Sequence, residues 1–165
     1  MKKIILFATI ISCALMGSAQ IDSTSKNFAK YQILPSFKLN TVPDSSEFSN
    51  KNLNHAKPVV IMFFSPDCEH CQKETKELLA YKSDLKNIQI VMLSPSSYPT
   101  LKKFYEEYGI PAIPSIKMGQ DVNYTLGSLY QIRTFPTLYV YSKTGKLLKA
   151  FAGNVGVPEI LEAVK

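Results

Sequence analysis

The chain has 165 residues, of which 45% are hydrophobic and 19% are charged. This composition excludes a disordered or low-complexity chain, and the length allows one ordinary domain at roughly 150 residues per domain. The formal net charge is +6, but no run of five lysines or arginines occurs. We therefore expect no nucleic-acid partner, because such partners require a concentrated basic patch.

The N-terminus has the three parts of a secretory signal. Lys2 and Lys3 are followed by an apolar stretch of 13 residues (4–16) and by the small residues Gly17-Ser18-Ala19. A bilayer span needs about 20 apolar residues, so this stretch predicts a cleaved signal rather than an anchor. We expect a signal peptide over 1–19, a periplasmic or otherwise extracytoplasmic protein, and no stable membrane span after processing. Lipidation at Cys13 is the less favoured alternative, because the apolar stretch continues past that cysteine.

The first half of the mature chain begins with a polar lead-in over 20–35. Hydrophobic periodicity then predicts an edge strand at 36–40 and a turn-rich segment at 43–57. A buried strand at 58–64 and a helix at 69–85 follow. The strand at 58–64 is apolar throughout, as expected where helices cover both faces of a sheet.

The second half continues the alternation of strands and helices. We predict a buried strand at 88–93 and a helix at 98–108. An irregular segment follows at 110–132, with a short helix near 126–132. The chain then forms a β-hairpin at 137–151 and a closing helix at 157–165. Strands that alternate with helices indicate one α/β domain, here over 36–165.

The most specific motif is Cys68-Glu69-His70-Cys71, at the junction of a buried strand and a helix. A helix N-terminus has unpaired N–H groups and a partial positive charge, which favour a thiolate. Cys68 is nearer that end and is predicted to be the nucleophile. Cys71, one turn further and buried, would resolve the mixed disulfide.

Zinc binding, haem attachment and a purely structural role fit the cysteine pair less well. A zinc site needs about four ligands, and only two histidines could join the thiols, so we expect no metal. A c-type haem requires a histidine directly after the second cysteine, where this chain has Gln72. A purely structural disulfide over so short a loop would stabilise little.

With this motif the sequence resembles the thioredoxin-like superfamily, in particular its exported TlpA/ResA-type branch. The resemblance rests on residues 59–64, on Cys68–Glu74 and on Arg133-Thr134-Phe135-Pro136-Thr137, and covers roughly 35–165. It implies a thioredoxin-like fold with a central mixed sheet flanked by helices, and a Cys68–Cys71 redox disulfide without a cofactor. It also implies that Pro136 is cis, faces the cysteine pair and, with Phe135, binds substrate.

The resemblance has departures that change the expected chemistry. Met62 stands where thioredoxins have a buried acid, so that general base is lost. Glu74 matches a glutamate of the ResA type and lies on the face of Cys71; it is either a catalytic carboxylate or a solvated helix residue, depending on burial. His70 can stabilise the thiolate, whereas Asp67 and Glu69 oppose a second anion.

These observations predict an exported thiol-disulfide oxidoreductase that acts on protein thiols and disulfides, as a reductase, together with an unidentified redox partner in the cell envelope. Two alternatives stay open. One is the opposite direction of the same chemistry, a DsbA-like oxidase or an isomerase. The other is a thioredoxin-fold binding module whose disulfide never turns over.

Overall fold

The structure, a computed structural model, describes residues 31–165. The predicted signal peptide over 1–19, including Cys13, and residues 20–30 of the lead-in lie outside the described residues.

The residues that the structure describes form seven strands of one mixed sheet. In chain order they are β1 (Lys38–Thr41), β2 (Glu47–Ser49), β3 (Val59–Phe63), β4 (Gln89–Ser94), β5 (Ile116–Gln120), β6 (Thr137–Tyr141) and β7 (Leu147–Ala152). The spatial order is β2-β1-β5-β4-β3-β6-β7, in which β5, β4 and β3 are parallel and the other pairs are antiparallel. The predicted α/β fold with a central mixed sheet is confirmed.

Within residues 31–165, four α-helices accompany the sheet. They are α1 (Glu69–Ala80), α2 (Tyr98–Glu107), α3 (Thr125–Leu129) and α4 (Val157–Ala163). No helix among residues 31–165 is both long enough and apolar enough to cross a membrane.

Strand β3 shows how the sequence forms two cores. Its five residues are all buried, and successive side chains of a strand point to opposite faces of the sheet. Val60 and Met62 pack in the cluster that contains residues of α1, α2 and α4. Val59, Ile61 and Phe63 pack in the second cluster, which contains Leu126 of α3 and four buried tyrosines. Burial on both faces explains why the strand is apolar throughout.

The end of the lead-in is part of the folded unit. The N–H of Leu34 donates to the carbonyl of Gly145 at 2.8 Å, and the N–H of Leu147 donates to Gln32 at 2.8 Å. Tyr31 is 5% exposed and stacks on Tyr130 with ring centroids 4.4 Å apart.

Two strands were not predicted from the sequence. β2 lies within the segment 43–57 and pairs outside β1, so the prediction that 36–40 forms an edge strand is wrong. With three residues, β2 is too short to show alternation. β5 lies within the segment 110–132 that we expected to be irregular, and it pairs with both β1 and β4.

Helix positions agree with the sequence, with shifts at their ends. α1 ends at Ala80 instead of 85, and a separate 3-10 turn follows at Asp84–Asn87. The short helix of the 110–132 segment covers Thr125–Leu129, slightly before its predicted place. α4 has Pro158 in its first turn, as predicted, where the missing N–H costs nothing.

Candidate active site

The cysteine pair lies at the carboxyl end of β3, where the chain enters α1. Phe63 ends the strand, and Cys68 is the N-cap residue of the helix. Cys68 is partly exposed, whereas Cys71, one turn into the helix, is 0% exposed. Both are free thiols in this structure. Only Cys68 is therefore accessible to a second protein.

Hydrogen bonds hold the sulfur of Cys68 between the helix and the loop before β6. The N–H of Cys71 donates to Cys68 Sγ at 3.4 Å, and the Cys68 thiol donates to the carbonyl oxygen of Phe135 at 3.4 Å. The first contact orients a helix N–H toward the sulfur and can equally stabilise a thiolate there.

The environment of Cys71 opposes its ionisation. Burial raises the pKa of the Cys71 thiol far above its ordinary value of 9.0. The neighbouring Cys68 side chain and the charge of Glu74 raise this pKa further, while the backbone of Ser65 lowers it. A buried thiol of this kind needs a proton acceptor before it can act as a nucleophile.

Glu74 is the buried carboxylate of the site, with an exposure of 0%. Its Oε2 accepts hydrogen bonds from the N–H of Val155 at 2.9 Å, from the N–H of Gly156 at 3.3 Å and from the Asn154 amide. Its Oε1 is buried and accepts no hydrogen bond from the described residues. Burial raises the pKa of Glu74, although the three donors lower it. Of the two possibilities for Glu74, the solvated helix residue is therefore excluded.

Phe135 and Pro136 lie beside the cysteine pair. The Phe135–Pro136 peptide bond is cis, as the resemblance implied. Pro136 is buried and Phe135 partly buried. The hydrogen bond from Cys68 to the Phe135 carbonyl places this loop next to the accessible sulfur.

His70 is not in contact with the loop of Phe135 and Pro136 through any hydrogen bond of the described residues. It is exposed in the first turn of α1, and its ring forms no hydrogen bond within residues 31–165. Asp67 and Glu69 are also exposed, and His55 lies in a distant loop. Among the described residues, no group of three or more His, Cys, Asp or Glu side chains is arranged to hold a metal.

Two contributors to the site were missed from the sequence. The Gln72 side chain donates to the Pro66 carbonyl at 2.8 Å and so fastens the loop before Cys68 to α1. Asn154 reaches Glu74 from 80 residues away. The turn-forming sequence Gly153-Asn154-Val155-Gly156 was a local signal for a loop, but nothing in its spacing connects it to α1.

Comparison with known protein sequences identifies the family of this chain. A family model described as the AhpC/TSA family matches residues 31–150, which is most of the described chain. The chain belongs to the AhpC/TSA family. No curated protein sequence matches it significantly.

Solved structures resemble this AhpC/TSA family member over most of their length. A secreted Mycobacterium tuberculosis disulfide oxidoreductase homologous to E. coli DsbE is 16% identical with a TM-score of 0.64; the match covers 82% of this chain and 96% of that one. An exposed lipoprotein thioredoxin of Streptococcus pneumoniae is 18% identical with a TM-score of 0.64, over 79% and 100% of the two chains. The peroxidoxin BcpB of M. tuberculosis is 16% identical with a TM-score of 0.68, over 79% and 92%.

The thioredoxin-like fold is thus confirmed. The family match and this fold agree with the resemblance of the sequence to thioredoxin-like proteins.

Proposed function

We propose that the protein is an exported thiol-disulfide oxidoreductase that reduces disulfide bonds of other proteins through Cys68 and Cys71. The observation that carries this proposal is the contrast within the pair. Cys68 is partly exposed at the start of α1, and Cys71 is fully buried one turn further along the same helix. The sulfur of Cys68 is accessible to substrate, whereas the sulfur of Cys71 is accessible only to Cys68.

The proposed reaction has two exchange steps. The Cys68 thiolate attacks one sulfur of the substrate disulfide, which forms a mixed disulfide and releases the other substrate sulfur as a thiolate. The Cys71 thiolate then attacks Cys68 Sγ, which releases the second substrate thiolate and leaves a Cys68–Cys71 disulfide. The substrate gains two electrons, and the dithiol loses two. An envelope dithiol donor, the predicted redox partner, restores the pair.

Glu74 is the proposed proton acceptor for the second step. It lies three residues after Cys71 on the same helix face, and its charge already acts on the Cys71 thiol. Because Oε2 is held by three donors, Oε1 is the oxygen free to take the proton. Burial raises the pKa of Glu74, which brings it closer to neutral pH, where a general base is most effective.

Phe135 and Pro136 are the proposed substrate-binding residues. Their loop contacts Cys68, so a polypeptide whose disulfide reaches this sulfur must pass over it. Pro136 is buried and has no backbone N–H. Phe135 is partly buried and offers apolar surface next to the sulfur of Cys68.

The reductase direction is supported by the charges around Cys68. Asp67 and Glu69, on either side of it, are both exposed carboxylates, and such charges disfavour a neighbouring thiolate. A pair whose thiolate is less stabilised is less oxidising. Export is supported by the predicted signal peptide; the similar M. tuberculosis protein is secreted and the S. pneumoniae one is an exposed lipoprotein.

Reduction of insulin disulfides tests the proposal, with Cys68→Ser and Cys71→Ser variants measured beside the parent protein. We expect turnover to fall to background in both, and a mixed disulfide through Cys68 to accumulate only in Cys71→Ser. A Cys68→Ser variant as active as the parent would contradict the proposal and favour a binding module. A reduction potential of the Cys68–Cys71 pair of about −120 mV, rather than about −270 mV, would indicate an oxidase.

Peroxide reduction is the second candidate, because the peroxidoxin BcpB has a similar fold. In that reaction Cys68 attacks one peroxide oxygen and becomes a sulfenic acid as the other oxygen leaves as water or an alcohol. Cys71 then displaces a second water to form the disulfide. Hydrogen peroxide consumption that exceeds insulin reduction in rate would favour this candidate.

A further inference from the structure

A second concave site lies at the opposite end of the sheet from Cys68. It is a cavity of about 560 Å³ beside the amino ends of the parallel strands β4 and β5. Three connections form its walls: the segment from Phe48 to Lys57, the α1–β4 connection, and the α2–β5 connection. The strands between the two sites are five or six residues long, so at least about 13 Å of sheet separates this cavity from the cysteine pair.

The charged residues that line the cavity are all positive. Four lysines line it: Lys57 in the first wall, Lys82 and Lys86 in the second, and Lys117 in β5 beside the third. Of the described residues that line the cavity, none is acidic. The ion pairs within residues 31–165 involve other lysines, at positions 38, 103 and 165. Four lysines therefore line one cavity, and no carboxylate among its described lining residues balances their charge.

The walls of the cavity are fixed to one another. The Gln89 side chain accepts from the Asn54 N–H at 2.7 Å and donates to the Asn54 carbonyl at 2.9 Å, which joins the first wall to β4. The Lys57 ammonium donates to the carbonyl of Lys86 and joins the first wall to the second. In the third wall, the buried Ser115 hydroxyl has no hydrogen-bond partner among the described residues. The N–H of Ile90 donates to the Ser115 carbonyl at 2.8 Å, which joins the third wall to β4, so the lysines line a formed cavity rather than a flat surface.

We propose that this cavity binds a small polyanion, a molecule with two or more phosphate or carboxylate groups. Its volume falls in the range of about 300–1,000 Å³ that is usual for small-molecule sites. Lysines from three separate segments, around 57, at 82–86 and at 117, fit a ligand with at least two anionic groups. Lysine binds phosphate as a point charge and does not demand one ligand geometry. The proposal does not depend on the redox chemistry of Cys68 and Cys71.

Isothermal titration of the full chain with pyrophosphate, tripolyphosphate and citrate tests the proposal, at about 150 mM salt to screen long-range attraction. The test variant is Lys82→Gln/Lys117→Gln, because both side chains are exposed and their replacement leaves the wall-joining hydrogen bonds intact. The matched control is Lys73→Gln/Lys102→Gln, which removes the same charge from exposed positions outside the cavity.

We expect one molecule of polyanion to bind per chain, with affinity at least about tenfold weaker in the test variant and within about twofold of the parent in the control. Binding of the phosphates alone, or of citrate alone, would support the proposal and identify the anionic group. Equal weakening in both variants would overturn it, because general charge attraction would then account for binding. Absence of binding by all three probes would also overturn it. Insulin reduction should be unchanged in the test variant, which separates this site from the cysteine pair.

Discussion

At the scale of single residues, Glu74 is the proposed proton acceptor for the buried thiol. Replacement by glutamine keeps the size and an acceptor oxygen but removes the ability to take a proton. We expect Glu74→Gln to slow disulfide exchange about 10²-fold or more near neutral pH, the lower end of general-base contributions. Exchange in the variant should recover toward alkaline pH, where hydroxide can ionise Cys71.

Rapid-quench measurement of the exchange rate between pH 5 and pH 9 checks this prediction, with the fold verified by circular dichroism. Glu106→Gln on α2, an exposed glutamate far along the chain, is the control and should follow the parent profile. Superimposable profiles for Glu74→Gln and the parent would show that Glu74 only holds the loop at 154–156.

His70 forms no hydrogen bond with either cysteine within the described residues. Its ring is exposed and lies between the two cysteines in the first turn of α1. Replacement by proline should make the Cys68–Cys71 disulfide harder to reduce, by roughly 30 mV or about 1.4 kcal/mol, since a group that can stabilise the thiolate is lost. Equilibration with a glutathione buffer measures the potential. An unchanged value would leave the helix N-terminus as the main influence on Cys68.

At the scale of elements, α1 fixes α4 through two carboxylates one turn apart. Glu74 accepts from the N–H groups of Val155 and Gly156, and Glu77 accepts from the N–H of Val157 at 3.0 Å. The N–H groups of Gly156 and Val157 have no partner within α4, and Gly156, the N-cap residue, provides no side-chain cap. Gly156 has a φ of 82°, and a Cβ there would lie 3.0 Å from Glu77 Oε1. The junction therefore requires glycine at this position.

Removal of one of these caps should be measurable as lost stability. We expect Glu77→Ala to lower the free energy of unfolding by about 0.5–2 kcal/mol, the usual cost of losing an N-terminal cap. Urea denaturation at neutral pH checks this value. Glu106→Ala, which removes an exposed glutamate without such a partner, should change stability by less than about 0.5 kcal/mol. Equal effects of the two substitutions would show that the Glu77 contact contributes nothing.

The same scale shows what sequence patterns can predict. Strand β3 was found because it is apolar throughout, and β4 because its four central residues, 90–93, are all apolar. Helices α1 and α2 were found because helical periodicity survives over about three turns. β5 was missed because only Ile116 and Met118 are apolar, and because Gly119 interrupts the pattern. That glycine is explained only by tertiary structure: a Cβ there would lie 2.9 Å from the carbonyl oxygen of Asn40 in the neighbouring strand.

The site was predictable where its parts are close in sequence. The spacing of Cys68, Cys71 and Glu74 on one helix face follows from the helical repeat, but the burial of Glu74 does not. Burial results from the packing of α1 against α4 and the loop that contains Asn154, and such contacts between distant segments leave no local pattern. The cavity surrounded by lysines was unpredictable for the same reason, since its walls come from three separate connections.

At the scale of the whole molecule, a buried carboxylate with a raised pKa makes stability depend on pH. Burial raises the pKa of Glu74 above its ordinary value of 4.5, so the folded state binds this proton more tightly than the unfolded state does. The resulting stabilisation is complete below pH 4.5. It is lost as pH rises through the folded pKa, because the proton must then leave a buried oxygen. The limiting slope is about 1.4 kcal/mol per pH unit.

Comparison with Glu74→Gln isolates this contribution, because glutamine does not titrate and all other groups are shared. We expect the free energy of unfolding of the parent, minus that of Glu74→Gln, to decrease as pH rises from about 4.5 toward neutrality. Urea unfolding at pH 4.5, 6 and 7.5 with both cysteines kept reduced measures the difference. Cys71 also has a raised pKa, but its ordinary value of 9.0 places its effect at alkaline pH, outside this window. If the difference increases with pH instead, the three donors of residues 154–156 outweigh burial, and Glu74 is held as an anion that cannot accept the proton of Cys71.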